Sequence, residues 1–223
     1  MLRRIFFVSD CYYHIYNRGT DKIKIFFNEK DYLRFIVLLY VCNSVGPVRL
    51  EYFLSQGRSL RDILSEPREK DLVYIGAYCL MPNHFHLLIK EKAKGGITSF
   101  MKKIGTAYAM YMNKKYERSG NLFQGRFKAE LVDKDEYLRY LFAYIHLNPI
   151  KLIDSKWEGN GIKYIKRAKK FLNNYKWSSY QFYIDKKETD FILDKKEFPK
   201  YFDDLKEFSE FIKEWLEYRA SDY

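Results

Sequence analysis

Apolar residues recur along the chain with two different spacings, and these predict four strands and three helices. The segments that read as strands are rich in Tyr, Ile, Val and Leu and are bounded by turn residues; they are 11–18, 72–80, 85–89 and 129–132. The segments with apolar residues at three- and four-residue spacing, which predict helices, are 29–43, 97–116 and 134–148. Residues 47–70 mix polar and apolar positions and predict a loop that carries a short helix.

Turn residues and caps set the predicted limits of these elements. Gly46-Pro47 supplies a stop for the first helix. Met81-Pro82-Asn83 separates two strands or interrupts one long ribbon, and the pattern leaves both open. For the last helix, Asp133 is the predicted N-cap, and Pro149 predicts an end at Asn148 because proline disfavours helical geometry in the residue before it.

The order strand, helix, two strands, helix, strand matches a ferredoxin-like split βαβ unit. We therefore expect an α+β fold with an antiparallel sheet, to which the helix at 134–148 is added. The expected division of the chain is a catalytic domain over residues 1–150 and a C-terminal extension over 151–223. That extension combines a basic segment with an acidic helical tail packed on the core.

Charge favours a nucleic-acid partner. The 223-residue chain has 40 Lys and Arg against 29 Asp and Glu, a net charge of +11. Residues 201–223 hold seven acidic and three basic residues, a net charge of −4, so residues 1–200 carry +15. A positive excess of this size favours nucleic acid or an anionic membrane surface. Because no uninterrupted apolar stretch reaches eighteen residues, a membrane span is disfavoured and nucleic acid is preferred.

Cysteine usage indicates the compartment. The three cysteines are Cys11, Cys42 and Cys79, with no C-x-x-C pair. A disulfide framework and a zinc–cysteine site are both disfavoured, and a reducing cytoplasm is predicted. For a DNA-binding chain this implies association with the nucleoid.

The motif His84-Phe85-His86 is the first candidate for chemistry. On a strand, residues i and i+2 project from the same face, so both imidazoles could bind one metal ion while Phe85 points into the opposite layer. Two histidines in an apolar run can also be structural, hydrogen-bonded core residues. The motif alone leaves both interpretations open.

The helix at 134–148 is the second candidate. Tyr144 and Asn148 are four residues apart and share a helical face with Tyr137 and Leu141. A tyrosine and an amide on one face could reach a common site. From the spacing alone a core-packing stripe is favoured, because aromatic stripes are usually core and Asn before Pro is a common helix stop.

Six segments together resemble the REP-associated tyrosine transposases, a group of single-tyrosine HUH endonucleases. They occur in the family's order and are YHIYNRG at 13–19, YCLMPNHFHLLI at 78–89, SFMKKIGTAYAMYMNKKY at 99–116, GNLFQGRFK at 120–128, YLRYLFAYIHLNPIK at 137–151 and YKWSSY at 175–180. The resemblance spans roughly residues 10–180, and residues 47–70 and 185–223 have no counterpart in it.

The resemblance implies a site and a reaction. His84, His86 and Asn148 match the residues that hold a divalent metal ion, Mg²⁺ or Mn²⁺, and Tyr144 matches the nucleophile. The family cleaves single-stranded DNA that carries a hairpin, forming a 5′-phosphotyrosine that a 3′-hydroxyl can later resolve. Three rival nucleophiles lie on the preceding helix, but none has Asn or Gln four residues on; they are Tyr108, Tyr111 and Tyr116.

Basic side chains are the predicted DNA contacts. Arginines and lysines bind phosphates, and nearby aromatic rings such as Phe123 and Phe127 can stack on bases. The candidates are Arg18, Lys102, Lys103, Arg126 and Lys128. A solvated helix face explains Lys102 and Lys103 equally well, and we expect His14 and His146 to be structural or DNA-contacting residues.

Two other classes of protein compete with a transposase. A non-catalytic DNA-binding protein or regulator could retain the same fold, although every position that matches the active site carries a competent residue. An RNA-binding module is disfavoured because its RNP1 aromatic pattern is absent. A monomer and a homodimer both remain open.

Overall fold

Four strands form one antiparallel sheet in the part of the chain that the structure describes. This structure is a computed structural model that describes residues 6–157, 161–184 and 191–199 together with Glu210 and Ile212. The strands are β1 (Tyr12–Arg18), β2 (Val73–Met81), β3 (His84–Glu91) and β4 (Lys128–Val132). Their order across the sheet is β2-β3-β1-β4. This is the order of a ferredoxin-like split βαβ unit, so the predicted α+β fold is confirmed.

Helices cover both faces of the sheet. They are α1 (Glu29–Val41), α2 (Leu50–Ser55), α3 (Leu60–Ile63), α4 (Gly96–Lys115), α5 (Asp135–Leu147), α6 (Ile165–Asn174) and α7 (Tyr180–Ile184). Short 3₁₀ helices follow β1, α5 and Asp194, at Thr20–Lys22, Asn148–Leu152 and Lys195–Glu197. None of the helices among the described residues is long and apolar enough to cross a membrane.

Helices α1 and α4 pack on one face of the sheet, which we call the α1/α4 face. Phe85 of β3 is buried here with Phe35 and Tyr108 in one apolar cluster. The start of α4 requires glycine twice, because Gly95 has a φ of 73° and a Cβ on Gly96 would lie 2.1 Å from the Leu72 carbonyl oxygen. The sequence motif Gly95-Gly96 thus fixes where the second long helix begins.

A buried carboxylate joins the two helices of the α1/α4 face. Asp31 forms a capping box with Asn28 at the start of α1 and has no solvent exposure. Its carboxylate also accepts hydrogen bonds from Lys115, from the Tyr111 hydroxyl (2.9 Å) and from the Tyr116 hydroxyl (2.7 Å), all at the end of α4. Tyr111 and Tyr116, two of the rival nucleophiles, therefore join α4 to α1.

Helix α5 and the C-terminal segments pack on the other face, which we call the α5 face. Cys79 and Leu88 contribute from the sheet, and Leu141 and Ile145 contribute from α5. The C-terminal segments also cover the edge of β2. Main-chain hydrogen bonds join Leu80 N–H to the Trp177 carbonyl (2.8 Å) and Ser179 N–H to the Tyr78 carbonyl (2.9 Å). An open strand edge can pair with another chain, and this one is shielded.

Three local expectations differ from the structure. Residues 47–70 form two short helices, α2 and α3, rather than one. The N-cap of α5 is Lys134 and not Asp133, and it makes no side-chain hydrogen bond, so packing rather than capping sets this start. Asn148 keeps right-handed helical angles (φ −51°, ψ −37°) despite Pro149, because the chain tightens into a 3₁₀ turn that starts with Asn148.

The acidic tail lies outside the described residues except for Glu210 and the buried Ile212.

Candidate active site

Strand β3 directs both histidines of the His-x-His motif to the α5 face. Phe85, between them, is buried on the α1/α4 face, as the alternation predicts. Antiparallel pairing places Arg18 opposite His84 and Tyr16 opposite His86. These four side chains therefore project from the same face of the sheet.

His84 has a local hydrogen bond that orients its ring. Its Nδ1 lies 2.6 Å from Oδ1 of Asn83. Burial, together with the charges of Lys151 and Arg18, lowers the pKa of His84 to about 4, although the Asn148 amide acts in the opposite direction. The imidazole is therefore neutral near pH 7, which a metal ligand requires.

His86 is oriented from across the sheet. Its Nδ1 lies 2.8 Å from Nε2 of His14 on β1, and both rings are only 6 % exposed. Burial, followed by the proximity of His84 and His14, lowers the pKa of His86 well below its ordinary value. Burial also lowers the pKa of His14 to about 4, against the opposing influence of Glu130.

Glu130 on β4 accepts hydrogen bonds from side chains around this site. Its carboxylate accepts from the Tyr16 hydroxyl (2.7 Å) and the Tyr137 hydroxyl (3.1 Å), and lies 3.7 Å from Nδ1 of His14. Burial raises the pKa of Glu130, but these hydrogen bonds outweigh it and the net shift is downward. Burial and the interaction with Glu130 raise the pKa of Tyr16 and of Tyr137 to about 12.

Helix α5 brings Tyr144 to the histidines. The ring centroids of Tyr144 and His86 are 5.4 Å apart. Lys151 Nζ donates to the Tyr144 hydroxyl at 3.3 Å, which places a positive charge beside the phenolic oxygen. This lysine lies one residue beyond the Asn-Pro-Ile sequence, in the 3₁₀ turn that extends α5.

Asn148 carries the clearest polar anomaly of the site. It has no solvent exposure, yet neither Oδ1 nor Nδ2 makes a hydrogen bond of normal geometry, although the amide lies close enough to His84 to raise the pKa of that ring. An unsatisfied buried polar group costs about 1–3 kcal/mol. Among the described residues no group of three or more His, Cys, Asp and Glu side chains is arranged as a metal site.

Side chains from both layers line an open cleft of about 550 Å³. Its position lies between the end of α5 and the α5 face of β1, β3 and β4. The lining residues are His14, Tyr16, His86, Glu130, Tyr137, Tyr140, Leu141, Tyr144, Leu147 and Trp157. The cleft is thus mainly aromatic, with two histidines and one carboxylate.

The predicted DNA contacts fall in different places. Arg18 and Lys128 lie on the α5 face, opposite His84 and Tyr16 respectively, and Arg126 is exposed just before β4. Lys102 and Lys103 lie on α4, in the layer on the other side of the sheet. Lys102 is exposed, whereas the Lys103 amine donates to the carbonyls of Ser44 and Gly46.

The remaining sequence candidates are held in packing roles. Tyr108 is buried on the α1/α4 face and donates to the Ile25 carbonyl at 2.6 Å. Phe123 packs on Phe85 of the core, and Phe127 stacks on Phe7. His146 is fully buried on α5, with its ring nitrogens 2.8 Å from the Phe142 carbonyl oxygen and the Ser179 hydroxyl.

Sequence reasoning did not assign Tyr16, Glu130 or Lys151 to the site, and it treated His14 as structural or DNA-contacting. A signal was present for β1, since His14 and Tyr16 alternate as His84 and His86 do. Because both strands face the same helix, the two pairs meet. Nothing comparable marks Glu130, whose place depends on the pairing of β4 with β1.

Comparisons with known proteins identify the family and support the fold. The family model described as "Transposase IS200 like" matches residues 7–148. A solved structure described as a REP-associated tyrosine transposase bound to a REP hairpin is 13 % identical, with a TM-score of 0.52 over 86 % of this chain and 89 % of that one. A putative transposase from Deinococcus radiodurans R1 is 18 % identical, with a TM-score of 0.34 over 63 % and 93 %. No curated protein matches the sequence.

The chain is accordingly a DNA-processing enzyme, and its partner is DNA. It belongs to the IS200-like transposase family, whose model spans β1 to the end of α5 and Asn148. The resemblance drawn from the sequence motifs is confirmed at this level.

Proposed function

We propose that this transposase cuts and rejoins single-stranded DNA, with Tyr144 as the nucleophile and His84, His86 and Asn148 as the ligands of a divalent metal ion. The observation that carries the proposal is the buried amide of Asn148. Neither of its polar atoms makes a hydrogen bond of normal geometry, and the amide lies one helical turn beyond Tyr144 and beside His84. A site that leaves such an amide unsatisfied is suited to a ligand that satisfies it.

The donor set fits a divalent cation. Two neutral imidazoles and an amide oxygen suit Mn²⁺, and water and phosphate oxygens would complete a site that also accepts Mg²⁺. Metal dependence is general in this family. When bound, the ion supplies charge that polarises a phosphate oxygen.

Tyr144 then performs a transesterification. Its phenolic oxygen forms a bond to phosphorus and the bond from phosphorus to the 3′-oxygen breaks, which leaves a 5′-phosphotyrosine and a free 3′-hydroxyl. The phenolic proton is lost and the 3′-oxygen gains one, so the step needs no oxidant and no nucleotide cofactor. Lys151, 3.3 Å from the phenolic oxygen, can stabilise negative charge that develops there as the proton leaves.

Hairpin-bearing single-stranded DNA is the proposed substrate. The solved relative carries a REP hairpin, and the body of this chain carries the positive charge that phosphates require. Arg18 and Lys128, on the face of the cleft, are the proposed phosphate contacts closest to the chemistry. Arg126, which is exposed just before β4, is a third proposed phosphate contact.

We propose that residues 1–150 hold the nucleophile and the metal ligands, and that residues 151–223, apart from contributing Lys151 to the site, support them by packing on the core. The contacts of Ser179 support this role, because they join the described part of the extension to β2 and to His146 of α5. Its integrity should therefore matter for the position of α5.

The test is covalent capture of DNA by the full chain. Single-stranded oligonucleotides with hairpins, taken from the flanks of the protein's own gene, are incubated with Mn²⁺ or Mg²⁺ and resolved on a denaturing gel. We expect a protein–DNA adduct that disappears in Tyr144→Phe, in His86→Ala and on metal chelation. Tyr111→Phe, which changes a tyrosine held by Asp31, is the matched control and should retain the adduct.

Two outcomes would contradict the proposal. An adduct that survives Tyr144→Phe moves the nucleophile to another tyrosine. Salt-sensitive binding of the same oligonucleotides with no adduct under either metal favours a non-catalytic DNA-binding protein.

A further inference from the structure

The two ring nitrogens of His86 have different surroundings. A neutral imidazole carries one hydrogen, and only the other nitrogen can bind a metal ion. Nδ1 of His86 lies 2.8 Å from Nε2 of His14. At this distance one nitrogen donates and the other accepts, so two assignments of the hydrogens are available.

The two assignments have opposite consequences for the site. If His14 donates from Nε2, then Nδ1 of His86 accepts and the hydrogen of His86 sits on Nε2. If His14 carries its hydrogen on Nδ1, its Nε2 accepts from Nδ1–H of His86, and Nε2 of His86 keeps a free lone pair. Because Nε2 lies across the ring from Nδ1, only the second assignment gives His86 a ligand atom away from His14.

Glu130 distinguishes the two assignments. Its Oε2 lies 3.7 Å from Nδ1 of His14, which is beyond hydrogen-bond distance but close enough for the negative charge to attract a hydrogen on that nitrogen. The carboxylate is held in place by the hydroxyls of Tyr16 and Tyr137, which both donate to it. The hydrogen of His14 is therefore favoured on Nδ1, the nitrogen that faces the carboxylate.

We propose that Glu130 and His14 are positioning residues that hold His86 in the tautomer with hydrogen on Nδ1 and a free lone pair on Nε2. This proposal rests on the proposed function, in which Nε2 of His86 binds the metal ion. His84 reaches the same state by a shorter route, because its Nδ1 donates to Oδ1 of Asn83, 2.6 Å away. Both imidazoles are thus held in the same tautomer, but by different contacts. Asn83, in the adjacent turn, orients His84, whereas Glu130 and His14, on β4 and β1, orient His86 on β3.

The first measurement is the tautomer of His86 in the metal-free full chain. Nitrogen-15 NMR of protein labelled at histidine distinguishes a ring nitrogen that carries hydrogen from one that does not. In the wild-type protein we expect hydrogen on Nδ1 of His86. In His14→Leu, which has no acceptor, and in Glu130→Gln, whose amide can donate to His14, we expect a mixture of tautomers.

The second measurement is Mn²⁺ affinity of the same variants by titration calorimetry. Loss of a group that orients a metal-binding histidine lowers affinity about 10–100-fold, and we expect this for His14→Leu. His14→Gln should recover affinity to within about threefold of wild type, because its carbonyl oxygen can accept from His86 while its amide donates to Glu130. His146→Gln is the matched control: it alters a buried histidine of α5 and should leave both Mn²⁺ affinity and the His86 tautomer unchanged.

Specific results would overturn the proposal. Hydrogen on Nε2 of His86 in the wild-type protein would do so, as would wild-type Mn²⁺ affinity in His14→Leu. Failure of the proposed function looks different. A wild-type protein that shows the expected tautomer and binds Mn²⁺, yet forms no adduct with DNA, retains the positioning device but lacks the assigned chemistry.

Discussion

The two faces of the sheet use the same residue types in opposite ways. On the α1/α4 face, the hydroxyls of Tyr108, Tyr111 and Tyr116 all donate to acceptors within the protein, two of them to the buried Asp31. On the α5 face, Tyr144 lines an open cleft, and the buried amide of Asn148 beside His84 makes no hydrogen bond of normal geometry. Hydroxyls that donate to buried acceptors stabilise the fold, whereas a buried amide without a normal hydrogen bond beside an open cleft is suited to a ligand.

The comparison predicts a sharp contrast between two tyrosines. Tyr144→Phe should reduce strand cleavage by at least about 10³-fold, because it removes the attacking oxygen. Tyr111→Phe should leave cleavage per folded molecule unchanged and reduce stability only modestly. Rates of oligonucleotide cleavage, normalised to the folded fraction, check this. Equal losses in both variants would mean that the two faces do not differ in the way described.

Asp31→Asn should produce the reverse phenotype. The substitution removes the charge that pairs with Lys115 while leaving the cleft untouched, and breaking a buried pair costs about 3 kcal/mol. Urea unfolding at pH 7 measures the loss. A variant as stable as wild type would show that Asp31 does not join α1 to α4 energetically.

The same carboxylate makes a prediction about acid. Burial raises the pKa of Asp31, but the hydrogen bonds from Lys115 and Tyr116 outweigh it and lower the pKa overall. Its contribution to stability is thus complete above the unfolded value, about 3.9, and is lost as pH falls through the folded value. The stability difference between wild type and Asp31→Asn should be constant from pH 7 to 5 and shrink below about pH 4. A difference that grows in acid would contradict this sign.

Ser179→Ala tests the anchoring of the α5 face. The hydroxyl of Ser179 accepts from Tyr78 N–H (2.9 Å) and lies 2.8 Å from Nε2 of His146. Losing these buried hydrogen bonds should cost about 2 kcal/mol. Ser55→Ala, at an exposed turn of α2, is a control that should change the unfolding free energy by less than about 0.5 kcal/mol. Comparable losses in both variants would argue against an anchoring role.

The smallest expected effect separates two lysines. Lys128→Gln, on the face of the cleft, should reduce the slope of log affinity against log salt by about 1, the value for one lost phosphate contact. Lys102→Gln, in the α4 layer, should leave the slope unchanged if the strand follows only the cleft. A reduced slope for Lys102→Gln would instead support the sequence-based prediction that this lysine contacts DNA.

Sequence periodicity was sufficient for the sheet and the long helices, since each of those elements buries one face and so repeats its apolar residues. It failed where geometry depends on neighbours. Pro149 predicts the end of α5 correctly, with Asn148 as its C-cap, but not the 3₁₀ turn that keeps Asn148 itself in helical angles. The assignment of His84, His86, Tyr144 and Asn148 to one site came from a family resemblance, and the metal and nucleophile roles stay predictions. Glu130 could not be found, because its role requires the register of β4 on β1.

The C-terminal segment that shields the edge of β2 is synthesised after the whole sheet, and this order has a consequence for folding. The hydrogen bonds between Ser179 and Tyr78 join residues 101 positions apart. All four strands are complete in the chain by Val132, so the sheet can assemble on the ribosome before the segment that shields its β2 edge has been made. During that interval the nascent protein exposes a strand edge that is able to pair with another chain, whereas the finished protein does not.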